Sequence, residues 1–271
     1  MLYLVATPIG NLADITFRAI ETLKNCDYIL CEDTRHSLIL LQHYQIQKPL
    51  KSYHKFNEAS TAESILHDLR EGKNICLISD AGTPAISDPG ADLVKLCIEN
   101  ELPVTAIPGP CAAIQAISCS GLPTDRFQFL GFLPKKEEEL KRCLFNIFNY
   151  PGTTLCYESP HRLIDVLELI HKIEPDSHLV VARELTKKFE EIVRGSASFL
   201  IEYWKNHPLK GEIVLLFSPT THSKEEQWTQ LTPQEHVKWI EETYGLTRKD
   251  AIKLAAEQRN VPKRQIYNEF I

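Results

Sequence analysis

Short apolar runs, each closed by a cluster of glycine, proline and charged residues, recur through most of the chain. The first is Leu2-Tyr3-Leu4-Val5-Ala6, followed by Thr7-Pro8-Ile9-Gly10-Asn11. The most informative is Ile75-Cys76-Leu77-Ile78, which runs into Ser79-Asp80-Ala81-Gly82-Thr83-Pro84-Ala85-Ile86-Ser87-Asp88-Pro89-Gly90. Apolar runs this short, bounded by turn formers, predict buried strands. Asp27–Cys31 and Pro103–Ile107 have the same form. Helical spacing separates them. Phe17, Ile20 and Leu23 face inward in a helix capped by Asp14, a second helix begins near Ser37, and Thr61–Arg70 is stopped by Gly72. Further helices are predicted over Ala91–Asn100 and from Ala112 to about Ser120. This alternation predicts a mostly parallel α/β sheet, in which ligands sit at the carboxyl ends of the strands.

Gly121-Leu122-Pro123-Thr124-Asp125-Arg126 interrupts the alternation and marks a domain boundary. The expected division is an N-terminal α/β domain over 1–121, a C-terminal α/β domain over 122–220, and a linker with a helical extension over 221–271. In the second domain, strands are expected at Phe127–Leu133, Thr153–Tyr157 and from Leu179 to the charged Arg183, with a short one at Glu191–Arg194. A final strand within Lys210–Phe217 closes the sheet. Between them lie a charged helix after Pro134, a helix through Leu163, Val166, Leu167 and Ile170, and one capped by Ser196. Ser218–Lys224 reads as a linker, and three short helices follow near Pro233–Thr243, Arg248–Gln258 and Lys263–Phe270.

Composition narrows the classes. A hydrophobic fraction of 43% and a charged fraction of 24% are those of an ordinary globular protein, and no apolar run is long enough to span a bilayer. The chain opens directly on a strand without a basic leader, so export is not expected. Eight scattered cysteines lack zinc or redox spacing and read as small buried hydrophobes in a reducing cytoplasm. A net charge of -6 argues against coating nucleic acid by bulk electrostatics. The stretch from Leu246 to Arg264 differs. Its basic residues Arg248, Lys249, Lys253, Arg259, Lys263 and Arg264 face only Asp250 and Glu257. That segment is either an RNA contact or a helical cap packed on the body through Ile252, Leu254 and Ala255.

Neither GxGxxG nor a Walker sequence occurs, nor a nucleophile elbow, and His36, His54 and His161 are isolated, which reads as polar contact rather than metal ligation. What remains is charge at strand ends: Asp33 with Arg35, Asp80, Glu158 with His161 and Arg162, Arg183 with Glu184 and Lys187, and Glu212. Any one of these is equally the point where a strand re-enters solvent, and Asp88 equally a helix cap. Several together can orient a hydroxyl, tune a base or bind phosphate.

The motifs Thr7-Pro8-Ile9-Gly10-Asn11, Glu32-Asp33-Thr34-Arg35, Ser79-Asp80-Ala81-Gly82-Thr83-Pro84 with Asp88-Pro89-Gly90, Pro108-Gly109-Pro110 and Ala182-Arg183-Glu184-Leu185-Thr186-Lys187 resemble, in that order, the tetrapyrrole methylase superfamily. The Glu-Asp-Thr-Arg and Ala-Arg-Glu-Leu-Thr-Lys segments are similar to its RNA-modifying branch, which methylates the ribose 2′-hydroxyl of a cytidine in 16S ribosomal RNA. The resemblance implies two α/β domains, S-adenosylmethionine as methyl donor, no metal, a homodimer, and 16S rRNA or the small ribosomal subunit as partner. It implies donor binding by Pro8, Asp80, Thr83, Cys111, Ala112, Tyr157, Ala182 and Gly211. Ser79 and Ala81 stand where the superfamily has Gly and Pro. On this reading Glu184, then Glu158, is expected near the acceptor hydroxyl, with Asp33, Arg35, Arg183 and Lys187 on the RNA side. Two alternatives stay open: the same fold methylating a tetrapyrrole ring, or a non-catalytic nucleotide or RNA binder.

Overall fold

A computed structural model describes residues 1–219 and 228–270. The chain divides into two compact units, one of residues 1–115 with 184–190, the other of residues 116–183 with 191–271. The first unit thus takes back a short segment from far along the chain.

In the first unit, β1 (Leu2–Val5), β2 (Tyr28–Cys31), β3 (Leu50–Ser52), β4 (Ile75–Leu77) and β5 (Val104–Ile107) form one all-parallel sheet in the order β3-β2-β4-β1-β5. Its helices are α1 (Phe17–Asn25), α2 (Thr34–His43), α3 (Glu58–Arg70), α4 (Ala91–Glu99) and the start of α5 (Ala112–Ser120). Because successive strand residues point to opposite faces, two cores result. Val5, Ile29, Cys31 and Cys76 pack with Leu23 of α1 and Leu41 of α2. Leu4, Leu30, Ile75 and Leu77 pack with Leu66 of α3 and Leu93 of α4. The chain leaves β1 toward β2 but leaves the neighbouring β4 toward β5, in opposite directions across the sheet. Such a switch point opens a crevice at the carboxyl ends of the two strands.

Three local details differ from the sequence expectation. The cap of α1 is Thr16, whose Oγ1 accepts from the Ala19 amide at 3.1 Å, while Asp14 ends a preceding 3-10 turn. This shift puts Phe17 at the first helical position, 94% exposed, although Leu23 is buried as expected. Helix α2 begins at Thr34 because Asp33 caps it, accepting from the Arg35 amide at 2.8 Å. Strand β3, with the exposed pair Lys51 and Ser52, has no apolar run to announce it.

The second unit holds β6 (Phe127–Phe132), β7 (Thr153–Glu158), β8 (His178–Arg183), β9 (Glu191–Ser196) and β10 (Ile213–Phe217) in the order β6-β7-β10-β8-β9. Only the β6/β7 pair is parallel. The last strand does not close the sheet but enters its middle. Ile213-Val214-Leu215-Leu216-Phe217 is apolar on both faces and wholly buried, whereas the edge position goes to the more polar Glu191–Ser196.

Helices α6 (Glu137–Phe148), α7 (Leu163–Ile173), α8 (Ala197–Asn206), α9 (Pro233–Tyr244), α10 (Arg248–Gln258) and α11 (Lys263–Asn268) share one hydrophobic core with this sheet. Ile252, Leu254 and Ala255 are buried in it, which is the packing expected of a cap, while Arg248, Lys249, Lys253, Lys263 and Arg264 remain exposed. Part of the predicted Ser218–Lys224 linker lies outside the described residues.

Arg259 is not a solvated cation. Its Nε donates to His236 Nδ1 at 3.0 Å and its Nη2 to the Leu231 carbonyl at 2.6 Å. Since Nδ1 accepts from Arg259, Nε2 carries the hydrogen and donates to Gln258 Oε1 at 2.9 Å. Burial, reinforced by the Arg259 charge, holds the His236 imidazole down at about 4. The folded state therefore binds this proton less readily than the unfolded chain, and the stabilisation is present above the ordinary histidine value and lost as pH falls toward 4. Unfolding free energy should drop by on the order of 2 kcal/mol between pH 7 and 4 through this residue. Denaturant titration of His236→Gln should show that part of the slope removed; an unchanged slope would contradict the assignment.

Candidate active site

The loops beyond the carboxyl ends of β1, β2, β4 and β5 are bonded to one another. Thr7, past β1, exchanges two backbone hydrogen bonds with Gly82, past β4: the Thr7 amide donates to the Gly82 carbonyl at 2.9 Å and the Gly82 amide to the Thr7 carbonyl at 3.0 Å. The Thr7 hydroxyl donates to the Ser79 carbonyl at 3.1 Å, and the Ser79 hydroxyl to that of Gly82 at 3.2 Å. From the same loop, Thr83 Oγ1 donates to the Pro110 carbonyl at 3.0 Å, joining the loop beyond β5. The Asp33 amide, beyond β2, donates to Asp80 Oδ1 at 3.3 Å. Asp80 is thus held from the neighbouring strand. The half-buried Pro8, Thr83, Cys111 and Ala112 lie on these tied loops, and the Cys111 carbonyl accepts from Gln115 to open α5.

Electrostatics set this rim apart. Arg35 donates to Asp33 through Nε at 3.3 Å and Nη2 at 3.0 Å, and those bonds hold the Asp33 carboxyl down at about 2. Arg35 itself stays 89% exposed, so the pair faces water. Asp88 behaves in the opposite way. Burial first, then the Glu32 and Asp80 charges, push its carboxyl up to about 6 against a hydrogen bond from Ser79 and the Lys55 charge. Asp88 does not cap α4, whose N-cap is Gly90. Glu32 and Asp80 are therefore each close enough to repel Asp88. Sequence reasoning had no signal for this beyond the Asp-Pro-Gly turn.

Residues 184–190 fold into the same unit. A Cβ on Gly10 would run into Lys187 Cγ, lie 2.9 Å from Thr186 Oγ1 and 3.1 Å from the Leu185 carbonyl, so only glycine lets the two loops meet. Within the segment, Lys187 Nζ lies 2.8 Å from Glu184 Oε1, and Thr186 Oγ1 is buried without a hydrogen-bond partner. Among the described residues, seven other than glycine adopt positive φ. Gln45, Glu101 and Asn260 each follow a helix end, where that conformation is ordinary. The other four, Ala85 (φ 68), Ser87 (φ 65), Glu184 (φ 51) and Thr186 (φ 66), all lie in the two loops of this rim. Each costs on the order of 1 kcal/mol, and strain of this kind collects where a loop is held for function.

In the second unit, strand pairing sorts the remaining candidates by face. Val214 of β10 lies opposite both Tyr157 of β7 and Ala182 of β8, so the three form one row on one face. The Tyr157 ring packs edge-on against Phe129 at 4.8 Å and Phe132 at 5.5 Å. Gly211 turns the chain into β10 with φ 90. Glu158 and Arg183 form the adjacent row through Ile213 and point to the other face, with the helix-packed core.

Glu158 is only 2% exposed. It accepts from the Ser159 amide at 2.6 Å, lies 3.3 Å from Arg162, and burial raises its carboxyl. Arg183 pairs with Glu191 at 2.9 Å and lies over the Trp204 ring. These placements correct the sequence expectation: Glu158 and Arg183 anchor the second unit internally, whereas Glu184 and Lys187 lie in the segment that folds into the first. His36, His54 and His161 do not converge, and among the described residues no group of three or more His, Cys, Asp or Glu side chains is arranged to hold a metal ion.

Comparison with known proteins follows the same lines. Residues 1–200 match the family model described as Tetrapyrrole (Corrin/Porphyrin) Methylases. Proteins named ribosomal RNA small subunit methyltransferase I are similar over the whole length. The one from Halalkalibacterium halodurans is 44% identical over 99% of this chain and 94% of its own, and the one from Escherichia coli O157:H7 is 45% identical over 98% and 93%. Among solved structures, a diphthine synthase aligns with a TM-score of 0.63 at 12% identity over 83% of this chain and 92% of its own. A cobalt precorrin-4 methyltransferase aligns at 0.57 and 18% identity over 80% and 94%. These two show the fold alone. The chain belongs to the tetrapyrrole methylase family, within the group of ribosomal RNA small subunit methyltransferase I proteins.

Proposed function

We propose that the protein methylates the ribose 2′-hydroxyl of a cytidine in 16S ribosomal RNA, using S-adenosylmethionine, and acts in the cytoplasm as a homodimer. The full-length kinship with the rRNA methyltransferases carries this reading, and the rim of the first unit fits it. The bound donor supplies a methyl group on a positively charged sulfonium. Glu32, Asp80 and Asp88, drawn together at the switch point, make a site of negative potential suited to that cation. Asp80, steadied by the Asp33 amide, holds the donor's polar end. Pro8, Thr83, Cys111 and Ala112, on the tied loops of the first unit, form its walls. A displacement at a methyl carbon needs alignment above all, and tied loops provide it with little reorganisation.

Glu184 is the group we place at the acceptor hydroxyl, where it accepts the hydrogen bond and takes the proton as the oxygen attacks. Lys187 pairs with it at 2.8 Å and faces RNA phosphate, as does the exposed Arg35. Asp33 orients Arg35. For the homodimer, the edge strand β6 offers the exposed side chains of Phe127, Leu130 and Phe132 to a second copy.

Labelled donor should be incubated with small subunits from cells lacking the protein and, separately, with a tetrapyrrole. The expected result is one 2′-O-methylated cytidine; label on the macrocycle and none on RNA would overturn the proposal. Glu184→Gln should lower kcat about a hundredfold with donor affinity kept. Asp80→Asn should raise the donor Kd about tenfold or more. Full turnover in Glu184→Gln would remove that residue from the chemistry.

Asp88 gives a pH signature. Its folded value, about 6, lies above the ordinary 3.8, so the contribution is present at low pH and lost as pH rises through 6. At neutral pH the buried charge is a cost. Asp88→Asn should therefore stabilise the protein at pH 8 by on the order of 1 kcal/mol and have little effect at pH 4. A thermal unfolding series with the same shift at both values would contradict the crowding of carboxylates.

A further inference from the structure

The first unit contains three phenylalanines, Phe17, Phe56 and Phe189, and none of them is used in its cores. Phe17 is 94% exposed, Phe56 97% and Phe189 65%. In the second unit, by contrast, Phe145, Phe148 and Phe217 are buried. Exposed apolar residues scattered singly need no explanation. These three are not scattered. Phe17 opens α1 directly past the β1 loop, where Thr16 Oγ1 lies 3.5 Å from the Pro108 carbonyl beyond β5. Phe56 lies in the loop between β3 and α3. Phe189 lies in the segment whose Leu185, Thr186 and Lys187 meet Gly10. All three therefore sit at the carboxyl edge of one sheet, the edge that carries Asp80 and Glu184.

Each is also next to an exposed cation. The doublets are Phe17-Arg18, Lys55-Phe56 and Lys188-Phe189, and in the last the ammonium lies 5.6 Å from the ring centroid. An apolar ring beside a cation, repeated three times on one edge, matches a strand that alternates flat bases with phosphates. Aromatic faces stack unpaired bases, and Lys or Arg beside them meet the backbone. A folded protein partner would call for a continuous apolar patch with charge excluded from its centre, which is not this arrangement. The span is also suitable. Strands about 4.8 Å apart put the ends of β3 and β1, three places apart in the sheet, about 14 Å from each other. A few unstacked nucleotides bridge such a distance.

We infer that Phe17-Arg18, Lys55-Phe56 and Lys188-Phe189 form a stacking rim that holds unpaired RNA bases on either side of the acceptor nucleotide and thereby orients it. The inference rests on the proposed RNA methylation. It assigns positioning residues and gives the enzyme a preference for single-stranded over paired RNA.

The test uses the full chain and a 16S rRNA fragment containing the acceptor cytidine. Phe17→Ala, Phe56→Ala and Phe189→Ala should each raise KM for the fragment by about fivefold or more, with kcat less affected and donor Kd unchanged. Phe56→Trp should restore binding, and its fluorescence should be quenched by the fragment but not by one with abasic sites in place of the flanking nucleotides. Wild-type KM in all three alanine variants, while the wild type methylates the fragment, would overturn the rim alone. So would a loss traced by sedimentation to a changed oligomeric state, because the rings would then serve a second copy. A wild-type protein inert toward RNA but binding the donor would overturn the functional reading and the rim with it.

Discussion

The two backbone hydrogen bonds between Thr7 and Gly82 are the constraint on which the rest of the first unit depends. β1 and β4 are neighbouring parallel strands, and a parallel pair ordinarily separates once its ladder ends. Here the ladder continues one step further, through a bridge of opposite sense. The Thr7 hydroxyl fastens the same point by bonding the Ser79 carbonyl. With the two loops joined, Asp80 cannot swing away with its own loop, and Thr83 can reach Pro110 across β1. Each bond is worth only about 1 kcal/mol net, yet they act on one loop and reinforce each other.

That stiffness has a cost which the structure records in its backbone angles. Ala85 and Ser87 in the β4 loop, and Glu184 and Thr186 in the returning segment, adopt left-handed conformations unfavourable for their types. Nothing in the core requires them. They persist because Gly90, Gly10 and the tied strand ends determine the path on either side. Crowding three carboxylates at one switch point is a further cost, visible in the raised Asp88. A cation bound there would relieve it, and the methyl donor proposed to bind there is one.

Much of this was legible in the chain itself. Apolar runs closed by Pro/Gly loops identified the parallel strands of the first unit and the edge where their loops are tied, because a buried parallel strand must be apolar on both faces. Less legible were features that depend on partners distant in sequence. β3, with Lys51 and Ser52 exposed, is a strand only because β2 lies beside it. The central place of β10 follows from competition among strands for burial. Strand parity already separates Glu158 from Tyr157 and Arg183 from Ala182, since neighbours point to opposite faces; grouping charges by nearness in sequence concealed it. The return of 184–190 to the first unit leaves its trace only in Gly10, whose need for a bare backbone appears once Lys187 is beside it.

The central claim is that the loops beyond β1, β2 and β4, together with residues 184–190, act as one bonded rim that closes on the donor. Hydrogen exchange followed by mass spectrometry, with and without S-adenosylmethionine, tests it most directly. The account predicts that amides in 7–11, 32–36, 79–90 and 184–190 gain protection together on binding, while those of α9 to α11 do not change. Donor binding that leaves all four segments unprotected would contradict it.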